Sequence, residues 1–96
     1  MNRPLHPGEI LREEYLRPLG LGQRQLARAL KVSPSLVSSL VQGQRAMSAD
    51  TALRLSRFFG TSGEYWLGLQ ARHDLAVRRE ALADELEAID PMPQGG

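Results

Sequence analysis

Ninety-six residues suffice for one domain and not comfortably for two. The absence of cysteine excludes a disulfide framework, an iron–sulfur cluster and thiolate zinc sites, and no apolar run approaches the ~20 residues of a membrane span or forms a signal peptide, so a soluble cytoplasmic protein is expected. The net charge of +1 hides an asymmetry, because residues 1–61 carry nine basic against four acidic side chains and residues 62–96 carry three arginines against seven acids; a basic body suited to a polyanion and an acidic tail with other work are expected.

Five segments with helical periodicity follow one another. The first starts after Pro7-Gly8, runs through Ile10, Leu11 and Tyr15, and is expected to stop at Arg17-Pro18-Leu19-Gly20, because proline disfavours a helical residue before it. The second spans 23–30, with Leu26, Ala27 and Leu30 on one face. The third has Ser33 as N-cap and Pro34 at the first helical position; Leu36, Val37 and Leu40 form its inner face and Gly43 its end. The fourth begins at Ser48 with Asp50 in the first turn. Its inner face is expected to hold Ala52, Leu53, Leu55, Ser56 and Phe59, and Gly60 closes it. The fifth opens at Thr61 or Ser62, with Glu64 as capping-box partner to Thr61, and its pattern reaches Ile89. Met92 and the residues after it, rich in Pro and Gly, are expected to fray. No strand alternation or repeat is present.

Segments two and three, over 23–42, meet the demands of a helix-turn-helix. Two helices joined by a short turn pack at about 90–120°. The crossing needs a small residue, which is Ala27, and the angle between the helices needs a branched apolar plug, which is Val37. Leu26, Val32 and Leu40 close that small core. The turn residue Lys31 stands where glycine would be easier, at a cost of about 1 kcal/mol for a left-handed conformation. In such a motif the second helix enters the major groove. Its outward residues are Pro34, Ser35, Ser38, Ser39 and Gln42; the serines reach either kind of base edge and discriminate poorly. Phosphate contacts are expected from Gln23, Arg24, Arg28, Gln42, Gln44 and Arg45, together with the N–H groups that open the first motif helix.

From His6 to Leu75 the chain resembles the HigA family of antitoxins, within the Xre/phage-repressor class. The resemblance rests on His6-Pro7-Gly8-Glu9-Ile10-Leu11, Leu19-Gly20-Leu21, Leu26-Ala27-Arg28-Ala29-Leu30 and the run from Met47 through Leu55. Gly60-Thr61-Ser62, the segment from Glu64 to Gln70, and Asp74-Leu75 complete it. It implies an all-α, five-helix, lambda-repressor-like DNA-binding domain over 1–75, with 76–96 as a C-terminal helix extension and tail. It also implies repression of the chain's own operon by a dimer on operator DNA, and neutralisation of a RelE-like toxin that cuts messenger RNA. The resemblance weakens on the groove-facing helix, where arginine is common at the positions of Pro34 and Ser39 and asparagine at that of Gln42. Gly22 stands in place of the usual serine cap.

In the fifth helix Tyr65, Trp66 and Leu69 are expected to complete the core. Beyond them Leu75, Leu82 and Ile89 recur every seven residues with Leu86 between, a stripe able to pack against a second chain; a solvated helix with scattered apolar residues is the other reading. Two half-sites about 34 Å apart also favour a dimer on DNA. An enzyme is not expected, because His6 and His73 are the only histidines and no nucleophile, phosphate-loop or zinc motif is present. His6 belongs to the N-terminal entry turn and His73 is a polar residue of the fifth helix; neither a metal nor a cofactor is expected. A stand-alone transcription regulator shares the DNA-binding half and differs in having no toxin partner.

Overall fold

The computed structural model describes residues 4–93, all helix and connecting turns; the end of the Pro/Gly-rich tail, 94–96, lies outside the described residues. Helix α1 covers residues 7–19. His6 caps it: its Nδ1 accepts from the Gly8 N–H at 2.9 Å. Gly8 is required by packing, since a Cβ there would collide with the Leu40 carbonyl.

The proline stop expected in α1 does not occur. Leu11–Leu16 is a π-helical stretch in which the Arg17 N–H reaches back to the Arg12 carbonyl, and Arg17–Leu19 continues as α-helix with Pro18 inside it. In a regular helix the proline ring would meet the carbonyl four residues earlier. Here Pro18 instead follows directly on a π turn, whose bonds span five residues rather than four, and stands in the first turn of the α-helical stretch after it. Gly20, left-handed at φ 63°, ends the helix instead.

Helices α2 (Gln23–Leu30), α3 (Pro34–Val41) and α4 (Ala49–Phe59) follow as the periodicity indicates. The five scaffold residues of the motif behave alike. Leu26, Ala27, Val37 and Leu40 are buried, and Val32 packs against them half-buried. In α3 it is Val41, more than Leu36, that joins Val37 and Leu40 inside. In α4 the expectation for Leu53 fails. Thr51, Leu55 and Phe59 are spaced by four and set the inner face with Ala52, so Leu53, about half a turn away, is 62% exposed.

Helix α5 (Gly63–Ala81) is capped by Ser62, whose Oγ accepts from the Tyr65 N–H. Thr61 is not the cap and forms no capping box with Glu64. Its Oγ1 accepts from Trp66 Nε1 at 2.7 Å, satisfying the one polar atom of a fully buried indole. Tyr15 and Tyr65 ring that indole, and Phe59 stacks on Tyr15. Tyr65 and Leu69 are half-buried against the core.

Only the first half of α5 belongs to the body, since Trp66 and Gln70 are its buried residues. The rest projects, and the described chain measures 54 × 26 × 22 Å. The helix does not run unbroken to Ile89. Leu82 leaves helical geometry at φ −102°, ψ 11°, and a short helix α6 (Ala83–Glu87) follows. Neither glycine nor proline marks this break. It falls where the chain has no body to pack on.

Candidate nucleic-acid interface

The candidate surface is built on the two motif helices and the turn between them. At the C-terminus of α2, Lys31 is left-handed, φ 62°, the conformation in which its side chain is strained. The Val32 N–H returns to the Ala27 carbonyl at 3.0 Å, closing the helix in the Schellman manner. Ser33 then starts α3, its Oγ accepting from the Leu36 N–H at 3.2 Å. These two local devices set the direction of α3. Val37 and Leu40 turn one side of it inward. Pro34, Ser35, Ser38, Ser39 and Gln42 are left on the other side.

That outer side faces a cleft of about 370 Å³ that it shares with the start of α2. Gln23, Arg24 and Gln44 complete its lining beside Pro34, Ser35, Ser38, Ser39 and Gln42. Eight of the residues expected to meet DNA thus lie around one concave surface. The serines are not free of one another: Ser38 Oγ accepts from Gln42 Nε2 at 3.3 Å, and Ser33 and Ser35 hydroxyls lie 3.4 Å apart. At the mouth of the cleft α2 begins with Gly22, which has no side chain to cap the first turn. Gln25 Oε1 accepts from the Gly22 N–H at 2.8 Å, a reciprocal half of a capping box. The other half is missing, so the N–H groups of the first turn of α2 have no side-chain acceptor. Orphan N–H groups at the positive end of a helix dipole are what a phosphate oxygen requires.

Arg45 lies just beyond the cleft, in the turn between α3 and α4. That turn is held from three sides. Gly43 takes φ 74° and the Gln44 N–H donates to the Ser39 carbonyl at 2.9 Å. The buried Met47 donates its N–H to Gln70 Oε1 at 2.6 Å, and Gln70 Nε2 donates to Asp74 Oδ1 at 2.9 Å. On the third side His6 lies beside Arg45 around a shared recess. Since His6 Nδ1 accepts from the Gly8 N–H, the neutral imidazole carries its proton on Nε2. Burial, and then the neighbouring His73, hold the His6 imidazole below its ordinary value of 6.5, against the opposing pull of the Arg45 carbonyl, Asp74 and Glu9.

Gln70, Asp74 and the two histidines were not among the expected site residues. The sequence signal for Gln70 and Asp74 is their spacing of four on one helix face. The histidines are separated by most of the chain, yet their rings meet edge to face at 5.2 Å. His73 Nδ1 is 3.1 Å from the Pro4 carbonyl, to which it donates. Among the described residues no group of three or more His, Cys, Asp or Glu is arranged to hold a metal. No described helix is long and apolar enough to cross a membrane.

Two sets of expected residues lie apart from the cleft. Arg28 sits in the last turn of α2 and is not part of the cleft lining. Leu75, Leu86 and Ile89 are 50%, 46% and 65% exposed on the projecting arm, with Leu82 half-buried among them.

Comparison with known proteins agrees with this geometry. The helix-turn-helix family model matches residues 11–66. Antitoxin HigA-1 of Vibrio cholerae is 33% identical over 90 residues, 94% of this chain and 85% of that protein. The structure of Pseudomonas aeruginosa antitoxin HigA with higBA promoter superposes with a TM-score of 0.90 at 44% identity, covering 95% of this chain and all of that one. An addiction module antidote protein of the HigA family from Coxiella burnetii gives a TM-score of 0.89 at 39% identity over 95% of this chain and all of its own. The chain therefore belongs to the helix-turn-helix family and, within it, to the HigA antitoxins.

Proposed function

We propose that this protein represses its own operon by binding operator DNA as a dimer, with α3 in the major groove, and that it neutralises a toxin encoded beside it. The observation that carries the DNA reading is the single cleft shared by the uncapped start of α2 and the outer face of α3. A groove-entering helix needs its partner helix anchored on the phosphate backbone, and this arrangement offers both at once. Ser35, Ser38 and Ser39, beside Pro34, read base edges. Gln23, Arg24, Gln42, Gln44 and Arg45 hold phosphates, and Arg28 adds charge from the far turn of α2. Leu75, Leu82, Leu86 and Ile89 supply the contact with a second copy. The protein acts by binding alone and catalyses nothing.

The relationship to promoter-bound and antitoxin proteins supports the operator and the toxin, here a RelE-like ribonuclease. Both parts are tested by co-purifying the chain with the product of the neighbouring gene and mapping nuclease protection on its own promoter. Protection without a co-purifying partner leaves a stand-alone regulator; neither result leaves the reading without support. Within the DNA reading, Arg45→Ala should weaken all DNA about equally and lower the salt slope by about 1, whereas Ser39→Ala should change preference at one base pair by about 1 kcal/mol and leave the salt slope alone. A change of preferred base in Arg45→Ala would remove that residue from the phosphate contacts.

A further inference from the structure

At the end of α2 remote from the DNA cleft, a second groove of about 480 Å³ opens between α2 and α4. It combines exposed apolar surface with concentrated positive charge. Leu53 and Phe58, 62% and 45% exposed, form its floor and edge. Lys31, Arg54 and Arg57 line it, and no acidic residue does. Helix α2 is about 12 Å long, so this groove and the phosphate-binding start of α2 are at opposite ends of one helix. A cationic groove with an apolar floor asks for an acidic, amphipathic segment.

The chain carries one such segment. Residues 83–90 hold Asp84, Glu85, Glu87 and Asp90 beside Leu86 and Ile89, all exposed. It cannot reach the groove of its own copy. The groove adjoins the start of α5, where the Leu53 side chain lies so near Gly63 that an added Cβ would be 3.2 Å from it. The acidic segment follows the opposite end of α5, about 28 Å away along the helix axis.

A second copy removes that distance. The outer face of α5 carries Leu67, Ala71, Leu75, Arg78 and Leu82, at spacings of four, four, three and four, an apolar stripe interrupted once. If two such helices lie antiparallel about a two-fold axis at Leu75, Leu67 of each stands opposite Ala83 of the other. Helix α6 then passes the partner's first α5 turn and arrives beside its Phe58. We propose that the acidic arm 83–90 of each protomer docks in the Leu53/Phe58 groove of the other, with Asp84, Glu85 and Glu87 against Lys31, Arg54 and Arg57. The proposal rests on the dimer reading above and gives that dimer an exchanged arm. The break at Leu82 is where the arm can leave the stripe and enter the groove.

The chain has no cysteine, so a disulfide can report the contact cleanly. In the full chain, Phe58→Cys combined with Leu86→Cys should give a covalent dimer under mild oxidation, while Leu86→Cys alone stays uncoupled. Sedimentation equilibrium on the parent chain measures dimerisation independently. Arg57→Glu should weaken the dimer about tenfold or more, and adding Glu85→Arg should recover most of the loss; circular dichroism checks that each variant folds. A dimer that gives no cross-link and ignores the charge swap overturns the arm exchange and leaves the dimer standing. A parent chain that remains monomeric overturns both.

Discussion

The helix-turn-helix body and the C-terminal arm are both helical, and they are stabilised by different means. The body closes on itself: α1 to α4 and the first half of α5 bury Leu11, Leu26, Val37, Leu40, Leu55 and Trp66 almost completely. The arm has the same kinds of apolar residue and buries none of them fully: past Gln70 the described body reaches His73 and leaves Ala76, Val77 and Leu82 half-buried and Leu75, Leu86 and Ile89 exposed. A helix outside a tertiary core depends on weak local terms, so the arm is expected to be stable chiefly where a partner completes it. The difference separates folding from assembly along one helix.

The largest effect should come from the body. Trp66→Ala removes the centre of the aromatic cluster and the Thr61 hydrogen bond, and should lower unfolding stability by about 3–5 kcal/mol in urea titrations. Ile89→Ser, made on the arm and measured at a concentration where the chain is monomeric, should change stability by less than about 0.5 kcal/mol. Comparable losses in the two variants would show that body and arm fold as one unit and would abolish the distinction.

A smaller effect belongs to the turn that orients α3. Lys31→Gly relieves a left-handed non-glycine residue and should raise the thermal midpoint by an amount worth about 1 kcal/mol. A lower midpoint would mean that the Lys31 side chain contributes more to the body than its backbone costs.

The smallest effect is one of pH. His6 is held below its unfolded value of 6.5 by burial and by His73. The unfolded chain therefore takes up that proton first. The stability conferred by neutral His6 is complete above about pH 6.5 and is lost as pH falls through 6.5 towards the folded value. His6→Gln should flatten the dependence of stability on pH as pH falls through about 6.5. An unchanged slope would assign it to other groups. Residues 83–90 carry no histidine, so this dependence should persist in Ile89→Ser.

Much of the body was legible from residue order alone. The Ser33-Pro34 start, Ala27 at the helix crossing, the Val37 plug and Gly60 at a helix end all act within a few residues of themselves. Periodicity and capping chemistry report such local choices directly. The strain at Lys31 was legible for the same reason. The expected cleft residues came from one helix face plus its neighbour's start, which is again a local pattern.

What periodicity could not show depended on contacts between distant segments. Pro18 signals a stop, but the π turn before it lets the helix continue until Gly20. Leu53 has the right residue type for the core, and Thr51 and Leu55 occupy the face it would need. His6, Arg45 and Gln70 are brought together from three separate elements around the turn after α3, and no short-range pattern links them. The order of residues by itself determined the helix-turn-helix and its polar outer face, since these rest on spacings of three and four along single helices. Only the tertiary structure decided which apolar residues remain outside, how the Arg45 turn is anchored and where the last helix breaks, because burial and anchoring are properties of which segments meet.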